Sequence, residues 1–171
     1  MKNIFLIFLF TFLGNIFCCE GQIKTTKIRP KIKHIANQIA RHNVLTGSAV
    51  GYVGTRPKQW DRYEKLKKEA TNEELILLIE HKNAVVRCYS FDALAYRKGI
   101  DIFPILIKHL SDTAEVATFF GCLIFSTIVR EYFVGVVTPE EPNNEFYKDL
   151  YKLTKKQKTT IDSILFVNEK K

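Results

Sequence analysis

Residues Asn83 to Asp112 constrain the fold more than any other stretch. They read NAVVRCYSFDALAYRKGIDIFPILIKHLSD. A Val-Arg pair is followed by Ala93-Leu94 at helical spacing, then Gly99, then an apolar run closing on Leu110-Ser111-Asp112. Asparagine at the start of a periodic segment caps a helix, and glycine after its end releases the chain from one. The stretch therefore predicts two helices joined by a short link.

The surrounding sequence supplies further helix starts. Pro57 fits the first turn of a helix running to about Ala70. Thr71-x-x-Glu74 is a capping box, opening a helix to His81 with Leu75, Ile76, Leu78 and Ile79 inward. Asp101 suits the cap of a short helix with Pro104 in its first turn, and Asp112-x-x-Glu115 suits the start of another. The apolar positions also recur: Val86 aligns with Val116, and Ala93-Leu94 with Leu123-Ile124, at an offset of thirty residues. Leu78 and Leu106 hold like places in the preceding helices. A period of this size is the mark of a helical repeat array.

Asn83-Ala84-x-Val86-Arg87, Ser90, Ala93-Leu94, Leu106, Leu110 and Asp112 with Val116 resemble HEAT-like repeats of the short class found in phycobilin lyases. The resemblance covers about residues 71–127, and residues 48–137 more broadly resemble exported bacterial HEAT-like proteins. It implies an all-α fold: a short α-solenoid of stacked antiparallel helix pairs with capping helices. The second unit departs from the pattern, with Ala117 where arginine would stand and Phe120 in place of a small residue. In the resembling repeats the arginine pairs with acidic groups at helix starts. Arg87 is thus a structural arginine with Asp112 or Asp92 as partner, or alternatively a binding arginine. Lyase chemistry does not follow, since one scaffold serves many functions.

The first residues, MKNIFLIFLFTFLGNIFCCEGQ, place Lys2 before an uncharged apolar run, Ile4 to Leu13. That run is short of the ~20 residues of a membrane span and reads as an export signal. Cys19 is the lipidation candidate, in a loose likeness to a bacterial lipobox. Cleavage after Gly21 is the competing reading. Export places the chain in the periplasm or tethered in the cell envelope.

The organisation expected is a signal peptide over 1–19, a basic segment over 20–47, a HEAT-like helical domain over 48–137, a loop over 138–153 and a capping helix with tail over 154–171. The formal charge of +8 belongs mostly to the basic segment, which alone carries +5; residues 48–137 carry +1. A near-neutral body gives nucleic acid no basic face, so no nucleic-acid partner is expected. Within the basic segment, Ile32, Ile35, Ala36, Ile39 and Ala40 fall on one helical face. That face suits either contact with an anionic membrane surface or packing on the body.

Chemistry is sparse. Residues 46–54, TGSAVGYVG, lack the Lys-Ser or Lys-Thr of a phosphate cradle and read as a loop. His34, His42, His81 and His109 have no metal-ligand spacing, and His81 and His109 fall in last helical turns facing unpaired carbonyls. No nucleophile elbow or catalytic dyad is present, so no catalytic residue, metal or cofactor is assigned. Cys88 and Cys122 are expected as buried free thiols, with a disulfide as the alternative in an exported chain. Beyond Ile124 the pattern fits either a continued helix or an extended segment. Thr154-x-x-Gln157 opens a final helix with Ile161, Ile164 and Leu165 inward. The expected function is non-enzymatic: an envelope scaffold whose repeat surface binds an unidentified protein, with an enzyme or small-ligand carrier as the alternative.

Overall fold

A computed structural model describes residues 27–140 and 147–168. The leader, Cys19 and the proposed cleavage sites lie outside the described residues. In chain order the elements are α1 (Pro30–His42), β1 (Leu45–Val50), α2 (Lys58–Glu69), α3 (Asn72–Ile79), α4 (Ala84–Ala95), α5 (Phe103–His109), β2 (Glu115–Gly121), β3 (Leu123–Ile128), α6 (Val129–Val137) and α7 (Lys155–Asn168). The fold is mixed α/β, which corrects the all-α solenoid expected from the repeat pattern. Helices pack around a three-stranded sheet of order β1-β2-β3, with β1 parallel to β2 and β2 antiparallel to β3.

The correction turns on residues 112–128. Asp112 does not cap a helix. Its Oδ1 accepts from the Ala114 N–H at 3.2 Å, and both its oxygens take the Arg87 guanidinium. The chain then extends through Glu-Val-Ala-Thr-Phe-Phe, where β-branched and aromatic residues favour a pleated strand. Val116 and Thr118 alternate inward. Gly121 has φ +55° and turns the chain with Cys122, so that Phe120 faces Leu123. Gly-x at the centre of a two-residue turn is hairpin chemistry. The thirty-residue offset therefore aligns a helix with a hairpin, and the second repeat unit does not exist. Residues 46–54, expected as a loop, contribute most of β1.

The first unit holds. Asn83 Oδ1 caps α4 by accepting from the Val86 N–H at 3.1 Å. α4 is the central element, touching α1, α2, α3, α6, β1 and β2. Nine of its twelve residues are buried, so it carries no polar stripe. Phe91 stacks on Phe133 of α6 with centroids 3.9 Å apart, and Tyr63 of α2 stacks on Tyr89 at 4.8 Å. Tyr89 Oη also accepts the Thr46 N–H at 2.8 Å, tying the central helix to the parallel strand.

α1 lays Ile32, Ile35, Ala36 and Ile39 into the core, so its apolar face packs on the body. Two of the basic segment's charges pair with carboxylates of the body. Arg29 grips Glu74 through Nε and Nη2 at 2.8 and 2.7 Å, and Lys31 meets Glu69 at 2.9 Å. Glu74 is also the closing residue of the Thr71 capping box, accepting the Thr71 N–H at 2.9 Å. One carboxylate thus caps α3 and straps α1. The second capping box forms too: Gln157 N–H donates to Thr154 Oγ1 at 3.2 Å, and Thr154 N–H to Gln157 Oε1 at 2.8 Å. It opens α7, whose Ile161 is buried.

Candidate functional site

Residues 43–55 and 116–129 contain no Asp, Glu, Lys or Arg, in a chain that is 26% charged. The fold brings these two stretches together as the sheet. Apart from Glu115 at its lower end, the sheet is uncharged. Val50 bridges to Thr55 across a tight loop in which Gly51 and Gly54 have φ of +71° and +67°. The Gly51 N–H donates to the Gly121 carbonyl at 2.7 Å, fastening this loop to the β2–β3 turn. The two turns form one tip.

The tip is apolar and open. Tyr52 is 99% exposed, Val53 89%, Leu123 68%, Ile124 77% and Phe125 48%. Strand alternation puts Leu123 and Phe125 on one face and Ile124 on the other. Apolar side chains are therefore exposed on both faces of the hairpin. The rings of Phe120 and Phe125 pack at a tilt of 44°, with centroids 6.3 Å apart. Beneath them Gly47 leaves room: a Cβ there would lie 3.2 Å from the Phe120 ring.

β3 is also an open edge. The Thr118 hydroxyl donates to the Phe125 carbonyl at 2.8 Å, and the Val129 N–H reaches Ala114 O at 3.1 Å. Phe125 and Val129 thus turn their backbone groups toward β2. By alternation Ile124, Ser126 and Ile128 turn theirs outward. Edge strands are ordinarily blunted by charge, proline or a covering element. Among the described residues β3 has none of these along its length.

The residues expected to matter lie elsewhere. Arg87 donates to both Asp112 oxygens, Nε to Oδ2 at 2.8 Å and Nη2 to Oδ1 at 3.0 Å. Its Nη1 donates to the carbonyls of His81 and Lys82. All of its nitrogens are engaged, and the pair is largely enclosed. His109 joins the same cluster, with Nε2 3.1 Å from Glu80 Oε1 and Nδ1 3.7 Å from Asp112 Oδ2. His81 does not face carbonyls: its Nδ1 accepts the Asn83 N–H at 3.0 Å. This network holds α3, α4 and α5 to the entrance of β2. Cys88 is buried and its thiol is pushed up by desolvation, whereas Cys122 is exposed at the hairpin turn. Both are free thiols, so Cys122 is not the buried one expected. Among the described residues no group of three His, Cys, Asp or Glu side chains is arranged to hold a metal, and no helix is long and apolar enough to cross a membrane.

The chain matches no protein-family model, no curated protein and no solved structure. No relative therefore supports the HEAT-like resemblance, and the solenoid it implied is already replaced by the sheet.

The repeat pattern hides the apolar tip, because it reads Val116 to Ile124 as helical and residues 46–54 as a loop. Two signals were present. One is the double absence of charge over 43–55 and 116–129. The other is Gly121-Cys122 between two runs rich in β-branched and aromatic residues, which is a hairpin pattern.

Proposed function

We propose that this protein is a non-enzymatic binding protein of the cell envelope that engages another protein through the β3 edge and the apolar tip. The open, uncharged edge of β3 carries this reading. Its outward N–H and C=O groups at Ile124, Ser126 and Ile128 offer a ladder to one extended, apolar segment of a partner. Main-chain bonds supply affinity in such strand addition, and side chains at alternate positions supply selectivity. Ile124 and Ile128 would contact the partner's side chains on one face, and Leu123 and Phe125 on the other. The export reading of Ile4 to Leu13 and the lipidation candidate Cys19 place this surface in the envelope. They remain part of the proposal.

A photoreactive residue placed at Ser126 in the full chain tests it, with Lys33 on α1 as control. The expected result is one discrete heteromeric crosslink from position 126 alone. Ser126→Pro combined with a crosslinker at position 124 should abolish it while leaving the helical circular dichroism intact. Crosslinks only to a second copy, only to lipid, or equally from both positions would overturn the reading.

A further inference from the structure

Asp92 lies where α4, α2 and α6 meet, away from the sheet tip. Tyr63 Oη of α2 donates to its Oδ1 at 3.1 Å, and Tyr132 Oη of α6 donates to its Oδ2 at 3.0 Å. Among the described residues no Lys, Arg or His nitrogen lies within 4.0 Å of this carboxylate. Lys67, whose charge is felt at Asp92, sits with its ammonium 3.5 Å from the centre of the Tyr96 ring. Desolvation pushes the Asp92 carboxyl up, and Lys67 with the two phenols draws it back. Two phenolic donors satisfy lone pairs but bring no positive charge.

Asp92 is also part of the wall of a cavity of about 590 Å³, together with Tyr96, Tyr132, Tyr147 and, at its rim, Glu140. The size is that of a small-molecule site. The described lining carries two carboxylates, Asp92 and Glu140, against the Lys67 ammonium over the Tyr96 ring, a balance that favours a cationic over an anionic ligand. Three tyrosine rings beside a carboxylate are the chemistry that recognises an organic cation, because the ring quadrupole attracts positive charge and the rings cover its alkyl groups. A hydrated inorganic ion would gain little from the rings. We propose that this cavity binds a small organic ammonium ion, with its charged nitrogen set against Asp92 among Tyr96, Tyr132 and Tyr147.

The site is independent of the β3 edge, and its test uses different residues. Isothermal titration of the full chain with choline, and with its neutral isostere 3,3-dimethylbutan-1-ol, separates charge recognition from shape. Choline should bind about tenfold or more tightly than the alcohol. Asp92→Asn should remove that preference. Lys67→Met should tighten choline binding, since it withdraws a competing positive charge. Tyr147→Leu should weaken choline more than the alcohol. Equal binding of the two probes, or no choline binding at millimolar concentration, would overturn the proposal. So would a folded Asp92→Asn protein with unchanged preference. If Asp92→Asn does not fold, Lys67→Met and Tyr147→Leu decide: unchanged choline affinity in both sinks it.

Discussion

Glu74 shows how one side chain can hold two elements at once. Its carboxylate accepts from the Arg29 backbone N–H, the Arg29 guanidinium and the Thr71 N–H. The Arg29 hydrogen bonds, with the Thr71 N–H behind them, hold its pKa at about 2 against burial that pushes the other way. A carboxylate depressed in the folded state stabilises that state above its unfolded pKa and loses the effect as pH falls. The window here runs from about 4.5 down to about 2. Glu74→Gln should therefore lower the melting temperature at pH 7, and the gap to wild type should shrink steadily as pH falls from about 4.5 toward about 2. A constant gap across that range would show that charge is not the cause. Arg87 follows different reasoning. Its guanidinium and Asp112 are 11% and 18% exposed, so the pair is only partly screened by water. Arg87→Met strands the Asp112 carboxylate and two carbonyls, and should cost about 3 kcal/mol in a denaturant titration. A cost near zero would return Arg87 to the surface residues free for binding. Thiol reactivity separates the cysteines in the same way. Mass-mapped iodoacetamide labelling should modify Cys122 in the native chain and Cys88 only in denaturant, because the reactive thiolate is suppressed by burial.

At the scale of elements, the sequence was legible where a local bond closes a helix end. The Thr71–Glu74 and Thr154–Gln157 boxes, the Asn83 cap and the inward face of α1 depend on residues three or four apart, and each forms. Asp112-x-x-Glu115 has the same lettering as a cap and fails. Arg87, twenty-five residues earlier, claims both Asp112 oxygens, and β2 gains a parallel partner in β1 that local pattern cannot reveal. The Asp92 site was illegible for a similar reason: its donors Tyr63 and Tyr132 lie 29 and 40 residues away. The hairpin turn gives a sharper check on the corrected assignment. Gly121 has φ +55°, and a Cβ there would meet nothing within 4 Å. A substitution cost can then come only from backbone conformation. Gly121→Val should destabilise by about 1–2 kcal/mol, and Gly121→Asn by clearly less, since asparagine tolerates the left-handed region. Equal costs would mean that the turn is not held at positive φ. A helix through this segment would instead be stabilised by both changes, valine and asparagine each being better helix formers than glycine.

Across the whole molecule, charge is divided rather than scattered. The helices and the links between them carry nearly all of it and pair much of it between elements, as Arg29–Glu74, Lys31–Glu69, Lys108–Glu80 and Arg87–Asp112 do. The sheet carries almost none. A globular chain gains no stability from leaving Leu123, Ile124 and Phe125 in water, since their burial would be favourable. Their exposure on an open edge is a feature that self-pairing would exploit unless a partner covers it. Ile124 separates the two roles cleanly. It is 77% exposed, opposite Phe119 on the outer face of the hairpin, so a lysine there keeps the strand and its stem can lie along the same surface. Ile124→Lys should change folding stability by less than about 0.5 kcal/mol, as exposed substitutions do. It should reduce concentration-dependent self-association of the isolated chain, read by light scattering, and remove the crosslink formed from Ser126. A loss of stability with association unchanged would place Ile124 in the fold and leave the β3 edge without a binding role.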